Sequence, residues 1–264
     1  MSERLRKSGQ MYSLIIERIF QQRWRRGVTA VEFHRADIET TAAELQVKLP
    51  KNLGDLLYSF RFRRALPSSI TDTAPAGREW VIELAGSSSY RFALTRLSRI
   101  LPQGSLAVIE IPDATPEIVG RYAQGDEQAL LAKLRYNRLI DIFLGITSYS
   151  LQSHLRTSTR AEHGRTQIEI DELYVGIDAD GKHFVVPVQA KAGADQIGIV
   201  QTQQDVLFCS ERYPDLTCRP VAAQFLSDGA IALFELLLKK GQLLVKQERH
   251  YALVDVEPYK VPKR

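Results

Sequence analysis

Residues 167–191 read QIEIDELYVGIDADGKHFVVPVQAK, and this stretch decides the fold. Two runs rich in β-branched and aromatic residues, Gln167 to Ile177 and His183 to Ala190, predict two β-strands. Between them lies Asp178-Ala-Asp-Gly-Lys182, a strong signal for a tight turn. The stretch therefore predicts a β-hairpin.

The polar residues of this hairpin form the candidate active site. Because side chains alternate along a strand, Glu169 and Asp171 share one face of the first strand, and Gln189 and Lys191 share one face of the second. A lysine and an acid at the ends of apolar strands are costly unless they meet each other or a metal. Phosphodiester hydrolysis uses such a set: oxygen ligands hold Mg²⁺, the metal polarises the phosphate, and an ammonium offsets negative charge.

The segments around the hairpin predict an α/β core, because the order helix, strand, strand, helix, strand is typical of that class. Upstream, a helical stretch is expected from Pro116 or Asp126 to about Leu155, with a break near Gly145, and a polar, basic loop from Thr157 to Arg165. The remaining predictions are a strand at Ala107 to Ile111, a helix at Asp195 to Tyr213, a strand at Cys218 to Phe225, and strands at Ile231 to Lys239 and Gln242 to Val256, with a helix as the alternative for Ile231 to Leu238.

The aspartate, the turn and the valine-rich strand ending in Gln-Ala-Lys resemble the PD-(D/E)xK nuclease superfamily over Gly125 to Phe225. This resemblance implies a restriction-endonuclease-like core, in which helices flank a mixed β-sheet. It also implies that Asp171 binds Mg²⁺ and that Lys191 is the catalytic lysine. Gln189 stands where most members carry Asp or Glu, and the Ala190 carbonyl would be a further metal ligand.

Gln189 brings no negative charge, so another acid is expected to help hold the metal. Glu127 shares a helical face with Leu130 and Leu131 and would project toward the sheet. Members of the superfamily often have a glutamate on this first core helix. Glu169 is the other candidate. The simpler interpretations are a favourable acid in the first turn of a helix for Glu127 and a solvated strand face for Glu169.

The N-terminal part of the chain is more basic than the rest. Residues 1–104 hold 17 Lys and Arg against 10 Asp and Glu, whereas residues 105–264 hold 18 against 21. We therefore expect a basic DNA-binding domain at 1–104 and a nuclease domain at 105–264. The alternative is a chance fluctuation of surface charge.

Residues 1–104 predict an α+β domain that resembles a winged helix. Helices are expected at Met11 to Trp24, at Ile38 to Leu45 with Asp37 as the cap, and at Leu53 to Phe60. A β-hairpin is expected to follow, from Glu79 to Leu84 and from Tyr90 to Thr95.

Basic residues in two regions are candidates for DNA contacts. Lys51 and Asn52 open the expected recognition helix, from which base contacts usually come. Arginines that alternate with phenylalanines just after it could reach phosphates while the aromatic rings pack. The alternative is a solvated helix face. The arginines concerned are Arg61, Arg63 and Arg64, and Arg156 lies in the second region, just ahead of the hairpin.

Composition excludes several other classes of protein. The two cysteines, Cys209 and Cys218, are too few for a disulfide framework or a zinc site, so a reducing cytoplasm is expected. No apolar run is long enough to span a membrane, and the first residues lack the apolar segment of a signal peptide. The chain has no P-loop, so intrinsic ATP use is not expected.

The sequence thus predicts a Mg²⁺-dependent DNA endonuclease, first of all a restriction or defence enzyme. A homodimer is expected, because cutting both strands with one site per chain calls for two copies. Two alternatives stay open. One is a repair or branched-DNA nuclease, and the other is a non-enzymatic DNA-binding regulator in which Gln189 marks a decayed site.

Overall fold

The computed structural model describes residues 3–49, 53–86, 88–96, 99–122, 126–161, 164–191, 197–239 and 242–255. The chain divides into two compact units. The first comprises Met1–Arg99 with Ser158–Gln167 and Gly198–Gln204, and the second comprises Ile100–Thr157, Ile168–Ile197 and Asp205–Arg264. The predicted coarse class is confirmed, since helices flank a mixed β-sheet. None of the helices described has the length and apolar character needed to cross a membrane.

The first unit pairs helices with a small antiparallel sheet of order β1-β3-β2. The predicted helices and the predicted hairpin are present, and a short strand before the second helix is an addition. Its elements are α1 (Glu3–Arg23), β1 (Ala30–His34), α2 (Arg35–Glu44), α3 (Leu53–Tyr58), a π-helical turn (Ser59–Arg63), α4 (Ser68–Thr71), β2 (Arg78–Gly86) and β3 (Ser89–Arg96).

An apolar cluster holds the first unit together. On α1 the buried side chains recur at helical spacing, and the ring of Phe20 meets that of Phe92 on β3 edge to face, with centroids 5.0 Å apart. Phe92 also packs against Phe33 of β1 at 5.0 Å. The prediction that Asp37 is the N-cap of α2 is wrong, because the helix begins at Arg35 and His34 is its N-cap. Asp37 lies inside the first turn, and its Oδ2 accepts the backbone N–H of His34 at 2.6 Å as part of a capping box.

The remainder of the chain builds an eight-stranded sheet among the residues described, of order β5-β13-β12-β11-β8-β7-β6, with β10 also beside β8. Strand β8 runs parallel to β11 and antiparallel to β7. The elements are β4 (Arg99–Ile100), β5 (Val108–Pro112), α5 (Glu117–Tyr122), α6 (Glu127–Tyr136), α7 (Leu139–Leu144), β6 (Thr147–Ala161), β7 (Gly164–Ile177), β8 (His183–Lys191), β9 (Ile197–Gly198), α8 (Ile199–Arg212), β10 (Thr217–Cys218), β11 (Val221–Phe225), β12 (Ile231–Lys239) and β13 (Gln242–Val254). Strands β4 and β9 are not part of the eight-stranded sheet.

Three of the sequence predictions for this region are wrong. The helix expected to reach Leu155 ends at Leu144, because Gly145 adopts a left-handed conformation with φ of +65°. The strand β6 replaces the end of that helix and most of the loop expected from Thr157 to Arg165. Strand β6 lies at the edge of the sheet, so its exposed residues carry little hydrophobic pattern. The helical alternative for Ile231 to Leu238 is also wrong, since this segment lies in β12.

Strand β8 is buried on both faces, which explains its apolar sequence. On one face, Val186, Val188 and Ala190 join the apolar cluster of α6 and α7. On the other face, Val185 packs in the cluster that includes Phe208 of α8. The alternation predicted for this strand is therefore present, and it turns Gln189 toward α8.

Candidate active site

The candidate site lies at the carboxyl end of β8, where its ladder with β7 stops. The antiparallel register with β7 extends from Ile177–His183 to Glu172–Val188. The parallel register with β11 continues further, to the pair Gln224–Lys191. The last three residues of β8 therefore pair with only one neighbouring strand, β11, within the described sheet. Ligands of open α/β sheets bind outside the carboxyl ends of strands, which is where these residues lie.

The side chain of Asp171 binds the backbone of β8 just beyond the point where the pairing of β7 and β8 ends. Its Oδ2 accepts the N–H of Ala190 at 2.8 Å. The alternation of β7 is interrupted here, because Ile168, Ile170 and Leu173 all pack in the cluster that includes α8. The carboxyl group of Asp171 is thus held against β8 and is only 7% exposed.

Lys191 meets an acid from the helix before the sheet. Its Nζ lies 3.4 Å from Oε1 of Glu127, the first residue of α6. Asp126 starts this helix by accepting the N–H of Ala129 at 2.9 Å. The Lys191 side chain is 9% exposed and the Glu127 side chain 37%, so the ammonium lies inside the protein and its partner at the surface. The structure therefore brings Glu127 to the site, as its helical face predicts.

The amide of Gln189 is held by two acceptors. Its Nε2 donates to Oδ2 of Asp205 on α8 at 2.6 Å and to the backbone carbonyl of Glu169 on β7 at 3.1 Å. Both Gln189 and Asp205 are buried. The contact with Asp205 is the shorter of the two, and both hold the NH₂ end of the amide.

Two buried carboxyl groups in this cluster are poorly stabilised as anions. Burial raises the pKa of Asp171; the charge of Lys191 and the Ala190 N–H oppose this rise, while Glu127 and Glu169 add to it. Burial also raises the pKa of Asp205, well above its usual range, against the hydrogen bond from Gln189. A cation bound beside these carboxyl groups would favour their ionised forms.

Glu169, the other predicted helper acid, points its carboxyl group elsewhere. Its Oε1 accepts from Nη2 and Nε of Arg156 at 2.8 and 3.1 Å. Arg156 is 74% exposed along its side chain and lies on strand β6. Glu169 thus contributes its backbone carbonyl to Gln189, and its side chain neutralises a surface arginine beside the site.

The predicted DNA contacts of the first unit have different environments. Lys51 and Asn52 lie outside the described residues, as does the side chain of Arg63. Nε and Nη2 of Arg61 are buried, and burial lowers the pKa of its guanidinium. Arg61 lies in the π-helical turn Ser59–Arg63, and its side chain as a whole is half-buried. Arg64 is exposed.

Asp205 is the site residue that sequence reasoning misses. On α8 the frequent glutamines suggest a functional role, whereas a single aspartate among them gives no such signal. The available signal is its position three residues before Phe208 and four before Cys209, both of which are buried. An aspartate on the apolar face of a helix requires a partner in the interior.

No group of three or more His, Cys, Asp or Glu side chains within the described ranges is arranged to hold a metal ion. The predicted ligand set contains one such side chain, Asp171, together with an amide oxygen and a backbone carbonyl. No family model, curated protein or solved structure matches the chain. The resemblance to the nuclease superfamily therefore depends on the residues of this site alone.

Proposed function

We propose that the chain is a Mg²⁺-dependent DNA endonuclease of the PD-(D/E)xK type. One observation carries the proposal: Asp171, Gln189 and Lys191 converge from two neighbouring strands at one end of β8, with Glu127 next to the lysine. An aspartate and a lysine that are both almost buried in a sheet are expensive to keep in the folded protein. Unfavourable burial of charged groups is typical of functional sites.

The arrangement of elements supports the same proposal. The helices α6 and α7 precede the antiparallel strands β7 and β8, and α8 then leads to β11, which is parallel to β8. This order fits a nuclease core of one helix, a mixed sheet and a second helix. In the first unit, the order α1, β1, three helices with a π-helical turn, and then the hairpin of β2 and β3 fits a winged helix.

The residues of the site suit a magnesium ion. The carboxylate of Asp171, the amide oxygen of Gln189 and the carbonyl of Ala190 would hold it, and all three are the hard oxygen ligands that Mg²⁺ prefers. The raised pKa of Asp171 favours a nearby cation. Oδ1 of Asp205 is buried near the site and has no hydrogen-bond partner among the described residues.

The protein's own groups would prepare the phosphate for attack. When bound, Mg²⁺ supplies Lewis-acid polarisation of the phosphate and lowers the pKa of a water ligand. Lys191 offsets the negative charge that develops on the phosphate oxygens and orients the attacking water. Glu127 pairs with Lys191 and directs its Nζ. The apolar clusters on both faces of β8 exclude bulk water from beneath the site.

The experiment that tests this function is cleavage of supercoiled plasmid by the purified chain. Nicked and then linear DNA is expected with Mg²⁺ and not with a chelator. A linear product that increases with protein concentration would support a dimer. Comparison of unmethylated, methylated, nicked and branched substrates would separate a restriction or defence enzyme from a repair nuclease. Bound but intact DNA would contradict the nuclease and favour the DNA-binding regulator.

The exposed Arg64 predicts a contact with the DNA backbone. Arg64→Ala is expected to weaken binding of duplex DNA regardless of its sequence and to reduce the slope of log K against log salt by about one. Fluorescence anisotropy over a salt series measures both quantities. Arg121→Ala is the matched control, because it removes an exposed arginine from α5. Equal salt slopes for Arg64→Ala and the unmodified chain would remove Arg64 from the interface.

A further inference from the structure

We propose that Gln224 is a further residue of the candidate site and that its amide contacts a phosphate of the DNA backbone beside Lys191. Gln224 lies near the end of β11, the strand that runs parallel to β8. The inference rests on the proposed nuclease function and deepens it, because it names a substrate contact on a strand to which the resemblance assigns no site residue.

The pairing of β8 and β11 places Gln224 directly beside Lys191. The two residues are Cα partners at the end of the parallel ladder, and neighbouring strands lie about 4.8 Å apart. The carboxyl ends of the two strands therefore reach the same edge of the sheet. Ligands of open α/β sheets bind at this edge, so a substrate that meets Lys191 also lies next to Gln224.

The buried neighbours along β11 show which face of the sheet Gln224 shares. Val221 and Ala223 pack in the apolar cluster of α6 and α7, whereas Ala222 packs in a cluster on the opposite face. Because side chains alternate along a strand, Gln224 lies on the face of Ala222. Ala222 is the Cα partner of Gln189, so Gln224 and Gln189 lie on the same face.

Small side chains around Gln224 leave room for a substrate group to approach its amide. Its Cα partners on the two neighbouring strands are Lys191 and Ala232, and the residue before it on the same face, Ala222, is also small. The residues from Val221 to Ala223 are fully buried, whereas Gln224 is half-buried. Strand β11 thus becomes accessible and polar at the same residue.

The chemistry of an amide suits a phosphate that lies next to a lysine. Nε2 of a glutamine carries two N–H groups that can donate to phosphate oxygens, and glutamine is among the side chains that bind DNA phosphates. Lys191 attracts a phosphate as a point charge, whereas a planar amide also constrains the direction of the contact. A phosphate contact carries no base information, so it is expected at every sequence that the chain cleaves.

The test is binding of a duplex oligonucleotide to the full chain in EDTA, measured by fluorescence anisotropy, together with cleavage of the same duplex in Mg²⁺. Gln224→Met keeps the length of the side chain and removes its N–H groups. We expect about 10-fold weaker DNA binding, as for the loss of a hydrogen bond to a charged group. In cleavage, the loss is expected mainly in KM, because the contact exists before the reaction as well as during it.

A second variant tests whether the group that meets Gln224 is an anion. Gln224→Glu keeps the shape of the side chain but adds a negative charge, so it is expected to bind DNA more weakly than Gln224→Met. This difference should shrink at high salt, because ions screen the repulsion between the carboxylate and the phosphate. Gln103→Glu adds the same charge at an exposed position before β5 and is expected to bind and cleave DNA as the unmodified chain does.

Thermal unfolding separates a contact with DNA from support of the fold. Both Gln224 variants are expected to unfold at the temperature of the unmodified chain. Lower unfolding temperatures together with weaker DNA binding would mean that Gln224 stabilises the fold, and this result would overturn the inference.

DNA binding and cleavage that are unchanged in both Gln224 variants would also overturn the inference, and the nuclease proposal would then stand if the unmodified chain cleaves plasmid with Mg²⁺. If the unmodified chain binds DNA without cleaving it, the nuclease proposal fails, and weaker binding by the two variants would still support the contact. If the unmodified chain neither binds nor cleaves DNA, both fail.

Discussion

Asp171→Asn is expected to reduce DNA cleavage by roughly a thousandfold or more, which corresponds to about 4 kcal/mol of transition-state stabilisation. Asp171 is the only carboxylate in the proposed ligand set, so an uncharged side chain leaves Mg²⁺ with neutral ligands. The substitution conserves shape. The oxygen of an asparagine can still accept the Ala190 N–H that Oδ2 accepts now.

The same variant is expected to unfold at an equal or higher temperature near pH 7 without metal. Burial raises the pKa of Asp171 in the folded state, so the folded protein holds this proton more tightly than the unfolded chain does. Above the folded-state pKa the ionised carboxylate therefore lowers the free energy of unfolding, and asparagine removes this penalty. A loss of activity with no loss of stability is the signature of a functional residue.

Plasmid cleavage at a fixed Mg²⁺ concentration and thermal unfolding monitored by circular dichroism measure the two effects. Asp215→Asn, at an exposed position just after α8, is the matched control and should alter neither. Cleavage by Asp171→Asn at the normal rate would contradict its role as a metal ligand. A large fall in its unfolding temperature would instead indicate that Asp171 mainly stabilises the fold.

The sequence predicts the elements that are determined by residues close together in the chain. The turn at Asp178 to Lys182, the apolar strand β8 and the alternation that turns Gln189 away from Val188 all follow from neighbouring residues. Strand β6 does not follow from neighbouring residues, because an edge strand needs little hydrophobic pattern. It forms through its pairing with β7. The π-helical turn that contains Arg61, and the burial of the Nε and Nη2 atoms of that residue, also do not follow from residue spacing.

The missing negative charge at Gln189 illustrates which part of the candidate site the sequence does not predict. The resemblance to the nuclease superfamily predicts that an acid helps Gln189, and the sequence offers Glu127 and Glu169. In the structure the carboxyl group of Glu127 lies beside Lys191, and that of Glu169 binds Arg156. Asp205 contacts the glutamine instead, across 16 residues of chain. Such a contact is set by how α8 packs on the sheet, which no local pattern encodes.

A buried polar network in the sheet centres on Glu235 of β12. This residue is 2% exposed. Its Oε1 accepts from Nε of Arg219 at 2.7 Å and from Nζ of Lys246 at 2.9 Å, and its Oε2 accepts from Nε2 of Gln247 at 2.9 Å. Removal of Glu235 would leave the guanidinium of Arg219, which is 15% exposed along its side chain, without its counter-charge.

Glu235→Ala is therefore expected to lower the free energy of unfolding by about 3–5 kcal/mol, as when one partner of a buried ion pair is deleted. Burial raises the pKa of Glu235, but the hydrogen bonds and charges of Arg219 and Lys246 lower it more, so it lies below the usual 4.5. The stabilisation is thus fully present above the unfolded-state pKa and is lost as the pH falls through the lower folded-state value.

Urea unfolding at pH 7 and at successively lower pH measures this contribution. The difference between the unmodified chain and Glu235→Ala should be largest at pH 7 and should shrink below the usual glutamate pKa. Glu110→Ala, at an exposed position on β5, is the control and should stay within about 0.5 kcal/mol of the unmodified chain. A loss of unfolding free energy for Glu235→Ala no larger than that of the control would contradict this prediction. It would mean that the desolvation free energy of the buried charges equals the stabilisation from their contacts.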